Sequence, residues 1–580
     1  MRNIYLILLS IISILSFHCQ REPVFTPDKG NQNPSPITAT LQGNVFDENG
    51  QPAIGVAVKA GSKSAITNAH GYFRIVDASL DKKSSLVTAE KIGYFKSYRT
   101  FIPTSGVNQV MLKLVKKDLA GSMNSTNGGD ATLSNGAKIS LPANGIVKAS
   151  GGSYNGTVNV YASYINPASQ DIAQTVPGSF MADDKDNKRV FLTSYGMLAV
   201  ELESSSGEKL QITSGSAATL TMPIPSALQS TAPSSISLWY VDDQTGIWKE
   251  EGTAVKNGNS YVGQVKHFSF WNCDFSAPAV TLSMTLQNPE GLPFVHVHVM
   301  VRTQSNGAGH GWTDSLGQVS GLVPANENLT LEVLDECNEV IYSKNIGSLS
   351  QNTSLGTINL TNAGASIVTI KGKLLNCSNA IATNASAIIY YDNVVRYAKA
   401  NNNGDFSITF TTCSSSPSVC QILGIDNATQ QQGSIVNVTV TSPITNAGNI
   451  SACGTSALQY INYNLDGVNY SISSAVSGDS LISHTYDSLT VIGTWINGFH
   501  PANDNISFSF NSIGTAGTYP VSFLSVQNIS AEMIQPFNVI ITNFPNATGG
   551  FYEGSFSGQF TNRQAPTTQH TITCTFRMRR

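Results

Sequence analysis

From Thr38 onward the chain alternates apolar and polar residues in short runs, each ended by turn residues, and this pattern constrains the fold more than any other feature. The first runs are TATLQGNVF, GVAVKAG, GYFRIV, SSLVTAEK and VNQVMLKL. Successive side chains on a strand point to opposite faces, so each run can bury one face and wet the other. Repeated at intervals of about ten residues, such runs predict β-sandwiches. The expected fold class is all-β, a string of β-sandwich modules behind an N-terminal signal and tether.

The N-terminus is organised differently. Arg2 precedes an apolar run from Ile4 to Phe17, with Cys19 just beyond it. The run is too short for a bilayer core that takes about 20 apolar residues, and it reads as a secretory signal over residues 1–18. With its cysteine, the segment resembles the signal of bacterial lipoproteins. The resemblance implies lipidation at Cys19, export, and a place at the outer membrane or cell surface with the membrane as partner. Acyl chains contributing about 0.8 kcal/mol per buried CH₂ would make a lasting anchor. The alternative is an ordinary secretory signal cleaved elsewhere. Residues 19–37, with Pro23, Pro27, Pro34 and Pro36 among polar neighbours, read as a tether.

Charge excludes some partners. Only 12% of residues are charged and the net charge is −4 over 580 residues. No basic patch is present to draw nucleic acid or anionic lipid. A hydrophobic content of 41% is enough for packed cores, and the length calls for several domains.

In the first module, 38–116, the informative residues are Gly43, the DENGQP run from Asp47 to Pro52, Gly55, Val56, Val58, Thr67, the Gly71-Tyr72-Phe73 step and Gly93-Tyr94. Asn49-Gly50 supplies the positive φ of a tight hairpin, and Pro52 presets the chain leaving it. On these residues the module resembles the carboxypeptidase regulatory-like domain, which implies a prealbumin-type, Ig-like sandwich of seven strands. The same grammar recurs in 280–361, where Gly291-Leu292-Pro293 precedes Val295 to Val301 and Thr313 to Val319 replaces Thr67 to Phe73. It recurs again in 365–453, through Asn376 to Asn379 and Asn401 to Phe406. Between the first two copies, 118–278 carries Leu238-Trp239-Tyr240, Gly246, Trp248 and His267 to Asn272. It resembles the central region of cartilage intermediate layer and astroprincin-type proteins. A hairpin turning at Asp242 to Gly246 is expected, its aromatics forming a core cluster with the later strand. The last module, 454–580, is similar to a C-terminal module of surface lipoproteins through its stretch Gly549 to Gly558 and a closing strand.

Cys377, Cys413, Cys420 and Cys453 fall close together, and four cysteines allow three connectivities. The favoured pairs are Cys413 with Cys420 across a short loop and Cys377 with Cys453 across the module's two ends. Cys273, Cys337 and Cys574 are expected to be unpaired or paired at long range. No catalytic residue is assigned: the chain has no His-Glu-x-x-His, no Gly-x-Ser-x-Gly and no phosphate-binding Gly-Lys loop.

His296, His298 and His310 are the best, though weak, metal candidates. Residues two apart on a strand share a face, and three imidazoles could hold Zn²⁺ or Cu²⁺. The competing view makes them surface histidines, with Val295, Val297 and Val299 facing the core. Asp183, Asp184, Asp186, Asp242 and Asp243 offer hard oxygen ligands for Ca²⁺, but they equally suit solvated turns. The expected function is a non-enzymatic cell-surface lipoprotein for binding, adhesion or envelope scaffolding, with no cofactor and no nucleic acid, and with glycans or surface proteins as partners. A carbohydrate-binding accessory of a nutrient-uptake system is the alternative, and a hydrolase with an unrecognised site ranks third.

Overall fold

The computed structural model describes residues 35–580, except Ala69, 305–306, 361–366, 392–393, 413–417, 475–478, 488–490, 501–504, Asn528, 546–549 and Gln564. The expected signal, most of the tether, Cys19 and Cys413 lie outside the described residues. Strands account for nearly all regular structure. The described helices are single turns at Ile172–Thr175 and Ser226–Leu228. Among the described residues no helix is long and apolar enough to cross a membrane.

The first sandwich pairs a three-stranded sheet, Tyr72–Asp81 beside Pro36–Phe46 beside Asn108–Lys113, with a four-stranded one. The four run Lys63–Ile66, Ala57–Ala60, Ser85–Glu90, Ser97–Phe101. Its core takes the inward members of the alternating runs, among them Leu41, Val45, Val58, Phe73, Ile75 and Val87.

This arrangement occurs three times. In each copy an opening strand lies antiparallel to one neighbour and parallel to the closing strand of the unit. The trios are Pro36–Phe46 with Tyr72–Asp81 and Asn108–Lys113, Phe270–Gln287 with Gln318–Pro324 and Thr353–Asn359, and Ile367–Leu375 with Asp405–Thr411 and Ile444–Ser451. A glycine locks each copy. The carbonyls of Gly71, Gly317 and Gly404 each accept from the opening strand, at 2.8 Å from the amides of Val45, Leu286 and Leu374. All three glycines have positive φ, and at Gly71 and Gly317 a Cβ would come within 2.4 Å of an opening-strand carbonyl oxygen. No other residue fits there. A second shared bond runs from the amides of Val56 and Val297 to the hydroxyls of Thr67 and Thr313, both at 2.9 Å.

The central region is built on two long strands, Arg189–Ser204 and Phe270–Gln287. The second does not stop at the edge of the region. As far as Pro278 it pairs with Arg189–Ser204, and from Ala279 it pairs with Gln318–Pro324 in the next sandwich. One strand thus serves two bodies. The expected hairpin forms between Ser235–Val241 and Trp248–Asn257, with Asp242 and Gly246 closing its turn. Its aromatics divide between two cores instead of forming one cluster. Trp239 and Trp248 pack with Phe95, Tyr98 and Phe270, whereas Trp271, opposite Tyr240 on the pleat, faces the other side. The C-terminal body is a ten-stranded sheet closed by Phe551–Asn562 and Ala565–Arg579, over a phenylalanine-rich core including Phe508, Phe510, Phe556 and Phe576.

The bodies pack directly against one another. The first touches every other body: Arg99 bridges to Gly178 of the central region, Gln42 bonds His296 of the second sandwich, and Arg74 lies over the Tyr397 ring of the third. Ile482 of the C-terminal body joins its core.

Candidate functional site

The candidate metal histidines do not converge. His298 opens the strand His298–Thr303 and its Nε2 lies 3.1 Å from Nδ1 of His310 on the paired strand Ala308–Trp312. One of the two donates to the other, and His296 stands apart from this pair. Trp312 stacks on His298 at 4.8 Å. His296 has φ +59, which turns it off the strand direction, and its Nε2 bonds Gln42 at 2.9 Å. Same-face spacing holds only along regular strand, and the chain reaches that state after His296. Among the described residues no group of three His, Cys, Asp or Glu side chains could hold a metal ion. Nor are these histidines exposed: His296 is buried, and burial takes its pKa down to about 3 and that of His298 to about 4.

Three of the candidate calcium ligands are committed to other contacts. Asp183 is 2% exposed and paired with Arg189 at 2.6 Å and Lys249 at 2.5 Å. Asp242 caps its own turn, and Asp243 accepts the Tyr98 hydroxyl. The three central tryptophans are fully buried, each indole N–H bonded to a backbone carbonyl: Trp239 to Asp274, Trp248 to Ser179, Trp271 to His267. They are core, not a sugar platform.

Cys377 and Cys453 form a disulfide. The strands preceding them run parallel as neighbours, so the chain leaves both at the same edge. Cys420 is a free, buried thiol, with its pKa pushed up to about 11 by burial. The expected Cys413–Cys420 bridge is therefore corrected at Cys420, whose side chain is directed into the core of its sandwich. Cys273 and Cys574 are also free and buried, whereas Cys337 is disulfide-bonded.

The feature the sequence did not reveal lies where the first sandwich, the central region and the second sandwich meet. The loop after Phe101 docks onto the second sandwich: Asp314 Oδ2 accepts from the Gly106 amide at 2.7 Å and the Thr104 hydroxyl at 2.8 Å, and the Val107 amide donates to Ser315. On the other side the Gly178 amide donates to Tyr98, and the Thr100 amide donates to Gly178. Between these contacts sits a cavity of about 80 Å³, bounded by Arg99, Gln109, Phe180, His310 and Trp312 among others. Its residues come from segments as far apart as 99 and 322, each reading locally as ordinary strand or loop, so no spacing announces it.

No protein family matches the chain. Over 126 residues, 21% of this chain and 10% of the relative, the sequence is 26% identical to cartilage intermediate layer protein 2 of Homo sapiens. The chain thus spans only a small part of that relative's length. Among solved structures it is similar to a streptococcal ancillary pilin, at 10% identity and TM-score 0.13 over 39% of this chain and 95% of that one. It is also similar to the Bacillus anthracis TIE protein, at 8% identity and TM-score 0.14 over 74% of this chain and 66% of that one. BcpA, the major pilin subunit of Bacillus cereus, aligns at 8% identity and TM-score 0.13 over 72% of this chain and all (100%) of its own. At such TM-scores these likenesses carry no weight for the function of this chain.

Proposed function

We propose that the chain is a non-enzymatic surface protein that acts as a rigid binding or adhesion scaffold, anchored at the membrane through a lipidated Cys19. The observation that carries the scaffold reading is the single strand Phe270–Gln287 shared by two bodies, with the first sandwich interlocked against all the others. A hinge between bodies requires a segment free of such pairing, and the central region and second sandwich have none at their junction. Rigidity suits a protein that holds a partner at a fixed distance and orientation. The anchor rests on the lipoprotein-like signal.

Display on intact cells is the test. Added protease should digest the wild-type chain without lysis, and Cys19→Ser should move it from the membrane fraction to the medium. A chain protected from protease on intact cells would overturn the surface reading. Purified protein on an array of glycans and matrix proteins should bind without turning over any spot, and conversion of a spot would make it an enzyme.

A further inference from the structure

We propose that the cavity between the first sandwich, the central region and the second sandwich binds a compact hydroxycarboxylate, with Arg99 taking the carboxylate and Gln109 the hydroxyl.

Arg99 is 6% exposed, and its Nε and Nη2 have no hydrogen-bond partner. No acidic residue lines the cavity. Asp314, on the second sandwich where the docking loop lands, has both oxygens occupied: Oδ2 by Thr104 and Gly106, Oδ1 by the amides of Leu316 and Gln318. An unpaired buried charge is among the costliest groups a fold can hold. Burial lowers the guanidinium pKa only to about 10, so it stays charged at neutral pH. A planar fork of donors in this state matches a carboxylate, which it can grip with two parallel bonds.

Gln109 supplies the second group. Its Oε1 is also buried without a partner, an acceptor facing the same cavity as the unpartnered donors. A ligand that satisfies both therefore carries an anionic acceptor and a separate donor. An ammonium donor would sit beside Arg99 with no acid to balance it, so a hydroxyl fits better than an amine. The two histidines bond each other and stay neutral, neither competing for the anion nor repelling the ligand's apolar part.

Apolar side chains form much of the remaining wall, with Met111, Phe180, Phe191, Val319 and Leu322 among them, beside the small polar groups of Thr100, Ser179 and Ser320. Three glycines leave the space open. Gly309 and Gly311 face it from one strand and Gly321 from the next, where an added Cβ would meet nothing within 4 Å. Gly321 bounds the cavity beside Val319, with which it shares a strand face, so a bulky side chain there would crowd this wall. A volume of about 80 Å³ suits a ligand of a few heavy atoms.

The test is calorimetry and thermal shift on the purified protein at pH 7, with L-lactate, propionate and inorganic phosphate as probes. Lactate should bind and raise the melting temperature. Propionate, lacking the hydroxyl, should bind about tenfold more weakly, the effect of one hydrogen bond to an otherwise unpaired group. Arg99→Met should abolish binding while keeping the fold, because it removes an unpaired charge and preserves length. Gly321→Leu should block the cavity with Arg99 intact, and Gln109→Leu should erase the preference for lactate over propionate. Absence of binding by all three probes, or undiminished lactate binding by Arg99→Met, would overturn the site. Propionate or phosphate binding as tightly as lactate would overturn the hydroxycarboxylate assignment.

Discussion

Gln42 of the first sandwich and His296 of the second, 254 positions apart, are joined by a buried 2.9 Å hydrogen bond whose direction is fixed. Gln42 Oε1 already accepts from the Tyr72 hydroxyl and from Arg74. Its amide nitrogen must therefore donate to His296 Nε2, which places the imidazole proton on Nδ1 and keeps the ring neutral.

The first prediction follows from that neutrality. Burial holds His296 at a pKa of about 3 and His484 at about 4, both below their unfolded values. Each binds fewer protons folded than unfolded, so stability is full above roughly pH 6.5 and falls as the pH drops toward the folded values. Between pH 7 and pH 5 the loss should be about 2 kcal/mol per imidazole. Urea melts at both pH values check it. His296→Asn, a residue that tolerates positive φ, should remove its share of the slope. An unchanged slope would mean that His296 charges freely in the fold.

The Cys377–Cys453 bridge closes a loop with a sequence separation of 76. Replacing both cysteines by serine should lower stability by about 2–4 kcal/mol, through the greater freedom of the unfolded chain. Denaturation of the double variant beside the wild type measures it, and equal midpoints would refute it.

Trp248 is fully buried, with its indole N–H satisfied by Ser179. Trp248→Ala should cost about 3–5 kcal/mol by leaving a cavity and an unpaired carbonyl. Its melting temperature should fall, with any loss of binding appearing only as the fold is lost. A normal melt with lost glycan binding would make this tryptophan a recognition residue.

Asp183 stands between Arg189 and Lys249, nearly all of it out of water. Asp183→Asn leaves both cations without their anion and should destabilise by about 3 kcal/mol. Added Ca²⁺ should leave the wild-type melt unchanged, because the carboxylate oxygens are already committed. A calcium-dependent rise in melting temperature would restore the cation-site reading.

What the sequence made legible was local. Gly71, Gly317 and Thr313 could be picked out because a positive φ or a turn hydroxyl is demanded by neighbours a few residues away. The Cys377–Cys453 bridge was legible for a similar reason, since the module's first and last strands lie side by side. The Cys413–Cys420 expectation rested on short spacing alone, which ignores that Cys420 faces the core. His296 misled because its backbone leaves the strand geometry that the spacing assumed. Arg99 gave no sign at all. It sits in the ordinary strand Ser97–Phe101, and what sets it apart is the contact between bodies whose docking no short segment encodes.

The strand Phe270–Gln287 also bears on how this protein can be inherited. A one-residue insertion in a strand sends every later side chain to the opposite face. Between Phe275 and Pro278, where the strand passes from one body to the next, such an insertion would leave the central core intact and turn Leu282, Met284 and Leu286 out of the second. Exchange of either body for a foreign copy must therefore preserve reading parity across this strand, so the two are expected to travel through evolution as one unit rather than as interchangeable cassettes.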